Sequence, residues 1–261
     1  MNGVVIKATG KRYTVKTIDG EILQCRLKGK FRIQDIKSTN PIVVGDKVEV
    51  EQESELWMIV KLHERKNNIL RKSVNLSKQT HIIAANIDQA ILMITLDSPV
   101  TTTGFIDRFL ASANAYGVKV VLLFNKLDIY DQKMMQSQKQ LHLMYEKIGY
   151  KCIALSVLQD SLDKVKVAMK SKVNVIAGHS GVGKSTLINK LQPGLDLTTK
   201  TISDSHKQGQ HTTTFSQLHE LNFGASIIDT PGIRGFGLVD MKKEEVGDYF
   251  KEFLILKKKC K

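Results

Sequence analysis

A chain of 261 residues with 42% hydrophobic and 25% charged side chains has the make-up of an ordinary soluble globular protein and is long enough for two compact cores. Its apolar runs, such as Ala90–Leu96, reach only strand length, and Met1–Tyr13 lacks a signal-peptide core, so neither a membrane span nor export is expected and the cytoplasm is the expected compartment. Three widely separated cysteines, Cys25, Cys152 and Cys260, argue against a disulfide framework, while the net charge of +13 suits a polyanionic partner such as RNA or a ribosome as well as it suits solvated lysine-rich faces.

The first seventy or so residues alternate as short strands. In Glu21–Lys28, Leu23, Cys25 and Leu27 fall on one face and Gln24, Arg26 and Lys28 on the other; Val48 and Val50 repeat the pattern in Lys47–Glu51. Turn signals at Asp19-Gly20 and Gly45-Asp46 separate the strands, and no long helix intervenes, which predicts a small barrel of OB type. Up to Lys72 there are ten lysines and five arginines against three aspartates and six glutamates, a basic balance compatible with RNA binding. Tyr13, Phe31 and Trp57 offer stacking faces for bases, core packing being the alternative. Arg65–Gln79 reads as a polar linker.

Beyond it the pattern changes. Apolar runs at Gln89–Leu96, Lys119–Phe124, Cys152–Leu155, Val173–Ala177 and Ala225–Ile228 read as strands buried on both faces, with helical stretches such as Gly104–Gly117 between several of them. The alternation predicts an α/β domain: a mostly parallel sheet with helices on both faces. From about Asp240, Val246, Phe250, Phe253 and Leu254 recur at helical spacing, so a short amphipathic helix is expected to dock, followed by the basic run Lys257–Lys259. The expected division is a barrel over 1–68, an α/β domain over 69–239 and a tail over 240–261.

Three motifs end three of these strands. Gly178-His179-Ser180-Gly181-Val182-Gly183-Lys184-Ser185-Thr186 follows the strand at Val173–Ala177 and opens a helix, the context that a phosphate loop requires. Its glycines let backbone N–H groups approach an anion, Lys184 is expected to reach the β- and γ-phosphates, and the Ser185 hydroxyl is a candidate Mg²⁺ ligand. Asp229-Thr230-Pro231-Gly232 would bring the Asp229 carboxylate to the same metal and the Gly232 N–H to the γ-phosphate. Between these motifs, Thr212 and Thr213 are candidates for a nucleotide-sensing switch, with Thr213 the preferred Mg²⁺ ligand; a threonine-rich edge strand is the alternative.

Asn125-Lys126-Leu127-Asp128 ends the strand Lys119–Phe124. Asp128 can accept from guanine N1–H and the 2-amino group, donors that adenine lacks. Asn125 would brace neighbouring loops, the Lys126 stem would lie against the purine, and Ser156 and Val157 would border the base. The base-reading motif thus precedes the phosphate loop by about fifty residues, the reverse of the usual order, and a rotated chain leaves the site intact where the ancestral termini lay close.

This order behind a basic barrel resembles the circularly permuted GTPases, specifically the ribosome small subunit-dependent GTPase A (RsgA/YjeQ) family. The resemblance is carried by RLKGKFR, VVGDKVEV, NIDQAILM, NKLD, GHSGVGKSTLIN, GQHTTT and DTPGIRGFGL, which together span nearly the whole chain. It implies an N-terminal OB domain, a permuted GTPase domain, and GTP hydrolysis stimulated by the small (30S) ribosomal subunit during late maturation, with contact to ribosomal RNA. The family also ends in a zinc-binding domain with a Cys/His cluster. Here the sequence stops at KKKCK, so Cys260 is expected to be a first ligand without partners; one thiol cannot make a tetrahedral site, and no ordered Zn²⁺ is expected.

Many GTPases orient the attacking water with a glutamine just after Asp-x-x-Gly, where this chain has Ile233. Slow intrinsic hydrolysis is therefore expected, with His211 as a candidate for holding the water and a surface-loop histidine as the alternative. Two other functions stay open on sequence alone. One is a P-loop ATPase or small-molecule kinase, which Asn125 and Asp128 oppose; the other is an RNA-binding protein whose nucleotide site is only structural. A monomer is the default expectation.

Overall fold

The computed structural model describes residues 1–10, 12–28, 41–72, 80–195, 216–229 and 243–257. The strands β1 (Asn2–Thr9), β2 (Arg12–Thr17), β3 (Ile22–Leu27), β4 (Lys47–Glu53) and β5 (Leu56–Leu62) form a barrel. β1–β2, β2–β3 and β4–β5 pair antiparallel, β3 pairs parallel with β5, and β4 returns to β1 through Asn2↔Glu49 and Val4↔Lys47. The last pairing closes the barrel and leaves no free edge between first and last strand. Alternation places Val5, Tyr13, Val15, Cys25, Val48, Val50 and Ile59 inside. Tyr13 is a core residue, half-buried Trp57 packs against the same core, and Phe31 lies outside the described residues. Burial pushes the Cys25 thiol up to about 11, as suits a packed rather than a reactive group.

The polar stretch that follows is more than a linker. β6 (Asn68–Lys72) and β7 (Thr80–Ala85) pair antiparallel. Arg65 just before them donates from Nε to Asp46 Oδ1 and from a terminal guanidinium nitrogen to Asp46 Oδ2, both at 2.7 Å, and that nitrogen also reaches the Pro41 carbonyl. Asp46 is fully buried and takes the Val43 N–H as well. The Asn67 side chain, also buried, bonds both backbone polar groups of Ile87. These residues weld the barrel to the second domain.

In that domain β8 (Gln89–Ile94), α1 (Thr103–Ala115), β9 (Lys119–Phe124), α2 (Gln132–Ile148), β10 (Lys151–Ala154), α3 (Asp163–Met169), β11 (Val173–Ala177) and α4 (Lys184–Leu191) alternate, followed by β12 (Gln217–Leu221) and β13 (Ala225–Asp229). The sheet order is β10-β9-β8-β11-β13-β12, parallel except for β12, which runs antiparallel to β13. Each central strand is apolar on both sides. Leu92, Ile94, Leu122 and Phe124 pack with Ile106, Phe109 and Tyr145 of α1 and α2, while Ile91, Met93, Val121 and Leu123 pack with Val165, Met169, Leu187 and Ile188 of α3 and α4. Thr102 caps α1 by accepting from Phe105 N–H, Asp131 caps α2 by accepting from Met134 N–H, and Gly149 ends α2 in the left-handed region.

At the far edge, Lys7 of β1 pairs with Gln217 of β12, so barrel and α/β sheet run together, and Lys16 meets Glu220 at 2.6 Å across that junction. The tail is a 3₁₀ helix, Lys243–Tyr249, followed by α5 (Lys251–Lys257). The expected single amphipathic helix is therefore broken. Its first half docks through the Tyr249 carbonyl, which accepts from Asn114 of α1, and Lys251 sits 3.8 Å from the Tyr150 ring centre. Phe253 and Leu254 face outward, 54% and 40% exposed, so the spacing that pointed to a buried stripe does not hold past Phe250. Among the described residues no helix is long and apolar enough to cross a membrane.

Candidate functional site

The glycine-rich loop leaves β11 at Ala177 and enters α4 at Lys184. Gly178 and Gly183 have φ of +139° and +102°, and neither has room for a side chain: a Cβ on Gly178 would sit 2.7 Å from the Met93 carbonyl oxygen, and one on Gly183 would sit 2.5 Å from Asn125 Nδ2. Sterics alone demand glycine at both positions. Gly183 is the N-cap of α4 in a left-handed conformation and makes no side-chain cap bond. Lys184 Nζ donates to the carbonyls of Gly178 and His179 at 2.8 and 2.6 Å, folding back over the loop. The His179 ring lies 4.1 Å from that of Phe105, centre to centre, in the first turn of α1. Ser180, Gly181 and Thr186 are exposed, Ser185 is half-buried and Val182 is buried.

Asn125 links this loop to the two strands beside it. It is 3% exposed; its Nδ2 donates to the Val182 carbonyl at 2.8 Å and its Oδ1 accepts from Val157 N–H at 2.8 Å. The partners dictate that orientation, since a carbonyl can only accept and an amide N–H can only donate. One side chain thereby holds together the ends of β9 and β10 and the loop after β11. Lys126 adopts a left-handed conformation, φ +65°, uncommon outside glycine, and its Nζ donates to the Ser98 carbonyl. Leu127–Ile129 form one 3₁₀ turn that presents Asp128 to solvent. Ser156 and Val157 are buried beneath the same rim.

Three contributors lay outside the sequence reading. The Tyr130 hydroxyl accepts from Leu96 N–H at 2.7 Å and donates to the Asn125 carbonyl at 2.9 Å. Asp160 accepts from Ser156 N–H at 2.6 Å, and Phe105 carries the His179 ring. Only the short spacings Asp128-x-Tyr130 and Ser156-x₃-Asp160 hinted at the first two; nothing local marks Phe105. Burial pushes the Tyr130 hydroxyl above its ordinary pKa against the opposing Leu96 N–H bond, and nearby Asp97 and Asp128 push the same way, so the group stays neutral and able to donate.

Asp229 ends β13, which pairs in parallel with β11, so its backbone and the start of the glycine-rich loop share the carboxyl rim of the sheet. His211, Thr212, Thr213, Gly232, Ile233 and Cys260 lie outside the described residues. Among the described residues no three His, Cys, Asp or Glu side chains gather as a metal cluster.

The model of the RsgA GTPase family matches residues 62–239, and that of the RsgA N-terminal domain matches residues 2–56. Proteins named small ribosomal subunit biogenesis GTPase RsgA are 54% identical in Flavobacterium psychrophilum and 50% identical in Bacteroides fragilis. Each alignment covers 100% of this chain, and 82% and 85% of those proteins respectively. Among solved structures, YjeQ from Thermotoga maritima superposes with a TM-score of 0.78 at 34% identity over 97% of this chain and 82% of its own. YloQ, a circularly permuted GTPase, superposes with a TM-score of 0.76 at 29% identity over 100% of this chain and 81% of its own. With both domain models matched in order and half the residues shared with full-length relatives, the chain belongs to the RsgA family of circularly permuted GTPases.

Proposed function

We propose that this protein is a GTPase of small ribosomal subunit biogenesis, hydrolysing GTP to GDP and phosphate in the cytoplasm when it engages the subunit. The observation that carries the reading is the Asn125 side chain, whose two bonds tie the start of the Asn-Lys-x-Asp turn to Val157 and to Val182 of the glycine-rich loop. Asp128 reads guanine N1–H and the 2-amino group, the Lys126 stem covers the purine, and the Ser156–Val157 backbone borders it. The Gly178–Thr186 loop and the α4 N-terminus wrap the phosphates, with Lys184 turning from the Gly178 and His179 carbonyls to the β- and γ-oxygens.

Mg²⁺ fits the donors available. A hydroxyl from Ser185, a carboxylate from Asp229 and a hydroxyl from Thr213 are hard oxygen ligands, and a site completed by phosphates and water needs no cluster of protein carboxylates. The ion would neutralise charge on the β- and γ-phosphates. His211 holds the attacking water in place of the glutamine replaced by Ile233, Gly232 N–H and Thr212–Thr213 sense the γ-phosphate, and the subunit orders this segment. The basic barrel, divided from the GTPase domain near residue 68, contacts ribosomal RNA, and the protein acts as a monomer.

The test is GTP turnover with and without purified small subunits, repeated for Asp128→Asn with xanthosine triphosphate. Subunit-stimulated turnover and a switch of the variant to xanthosine are expected. A wild-type chain that prefers ATP sinks the base-reading claim, and turnover indifferent to subunits sinks the ribosomal one.

A further inference from the structure

We propose that Tyr130 is a positioning residue for guanine discrimination, its hydroxyl tying the turn that carries Asp128 to the end of the neighbouring strand β8. The inference rests on the reading of Asp128 given above. Asp128 itself is exposed, in a single 3₁₀ turn, so its aim depends on how that turn is held. The turn is held from its two ends. At its start, Asn125 is fixed by its side-chain bonds and by its N–H on the Ile94 carbonyl at 2.8 Å. Past its end, the Tyr130 hydroxyl returns to the Asn125 carbonyl and also takes the Leu96 N–H.

The six residues from Asn125 to Tyr130 are thus closed into a loop by one hydroxyl, and the loop is pinned to the segment just past the strand beside it. Lys126 adds a second stitch to the same β8–α1 segment through the Ser98 carbonyl. A carboxylate that must meet two donors on one purine edge needs a fixed direction, because both hydrogen bonds weaken steeply with angle. Removing the hydroxyl frees the Leu96 N–H and the Asn125 carbonyl and lets the turn rotate. The loss should fall hardest on the ligand that uses both donors.

The experiment compares GDP with IDP, which keeps N1–H and lacks the 2-amino group, on the full chain. Tyr130→Phe keeps the ring packing. It is expected to lower GDP affinity about tenfold and IDP affinity by less, so that the GDP-to-IDP ratio narrows. A merely structural tyrosine would lower the melting temperature and both affinities alike, and an unchanged ratio overturns the proposal. Amide exchange in the wild-type chain is an independent measurement should the variant fold poorly: the Leu96 amide is expected to be protected without nucleotide and more so with GDP. Exchange at an open-loop rate, unaffected by GDP, also overturns it. Asp128→Asn binding of XDP separates the two readings. If the switch to XDP occurs while Tyr130→Phe leaves the ratio unchanged, only the Tyr130 role fails; if it does not occur and the wild type binds GDP and IDP equally, both fail.

Discussion

Truncating Asn125 to alanine tests whether the base and phosphate halves of the site are one unit. The substitution strips partners from the Val182 carbonyl and the Val157 N–H, each held at 2.8 Å by a side chain that is 3% exposed. A buried backbone group left unpaired costs about 1–3 kcal/mol. With some relief from water entering the gap, the two together come to about 2–4 kcal/mol, or a GDP affinity roughly 30- to 1000-fold weaker if most of it falls on binding. Calorimetric titration with GDP measures that share, and thermal unfolding of the nucleotide-free chain measures what falls on stability. What is lost is mutual alignment, so guanosine alone and pyrophosphate alone should each lose far less than GDP does. Asn125→Asp sharpens the test: it keeps an acceptor for Val157 N–H but sets a carboxylate oxygen against the Val182 carbonyl, and should bind GDP no better than the alanine variant. A GDP affinity within threefold of wild type for Asn125→Ala, with an unchanged melting temperature, refutes the reasoning.

Lys184→Ala should cut GTP turnover at least about a hundredfold, by loss of a charge aimed at the transferring phosphoryl group, while the nucleotide-free melting temperature moves by only a few degrees; comparable turnover would remove Lys184 from the chemistry. Arg65→Ala strands the Asp46 carboxylate, fully buried and left, among the described residues, with the Val43 N–H, which should cost about 3 kcal/mol and lower the melting temperature by about 6–12 °C. Calorimetry showing no shift would mean that the barrel does not depend on this clamp. Burial alone would raise the Asp88 carboxyl, but the Val173 N–H, then Lys66 and Lys172, outweigh it and hold the group below its ordinary pKa. Its contribution to stability is therefore present above the unfolded-state value and is lost as pH falls through the folded one. Asp88→Asn should flatten the acid limb of a stability-against-pH curve below about pH 4 and leave its neutral part no steeper.

Local grammar made the central strands, the glycine-rich loop and the Asn-Lys-Leu-Asp turn legible, because each announces itself within ten residues. Val173–Ala177 and Lys119–Phe124 read as largely apolar strands buried on both faces, and their alternate apolar residues do divide between the two helical layers. The barrel was legible through alternation, but its closure was not: Asn2↔Glu49 joins residues 47 apart, and no local pattern specifies that pairing. Arg65 and Asn67 were misread for a different reason. Polar letters look like a solvated linker, yet both side chains are satisfied by partners about twenty residues away, Asp46 and Ile87. The tail failed in the opposite sense. Phe253 and Leu254 sit at helical spacing from Val246, but a 3₁₀ segment up to Tyr249 changes the residues per turn and rotates them out of register. Tyr130 acts through a hydroxyl whose partners are backbone groups, and backbone partners leave no trace in a sequence.

The reversed order of the motifs follows from what the site needs. It needs the ends of β9 and β11 separated by one strand, since neighbouring strands lie about 4.8 Å apart and two steps span about 10 Å, the scale on which a base and its phosphates are set apart. β8 supplies the spacing strand, paired in parallel with both neighbours through Ile91↔Val121 and Ile176↔Ile91. None of those pairings depends on which strand is made first. Covalent order enters only at residues 170–172 between α3 and β11, where Ser171 turns through a left-handed conformation and gives its N–H to the Gly224 carbonyl. That short bend lets the half proposed to read the base run straight into the half proposed to bind the phosphates. The same rearrangement puts β12 next to the barrel instead of leaving it a bare edge, through Lys7↔Gln217 and the Lys16–Glu220 pair. Since β12 pairs along its length with β13, the strand that ends in Asp229, the barrel is coupled by backbone hydrogen bonds to the element that carries the proposed Mg²⁺ ligand. In the permuted chain, the barrel proposed to meet RNA is therefore joined through β12 to β13, the strand that ends in Asp229.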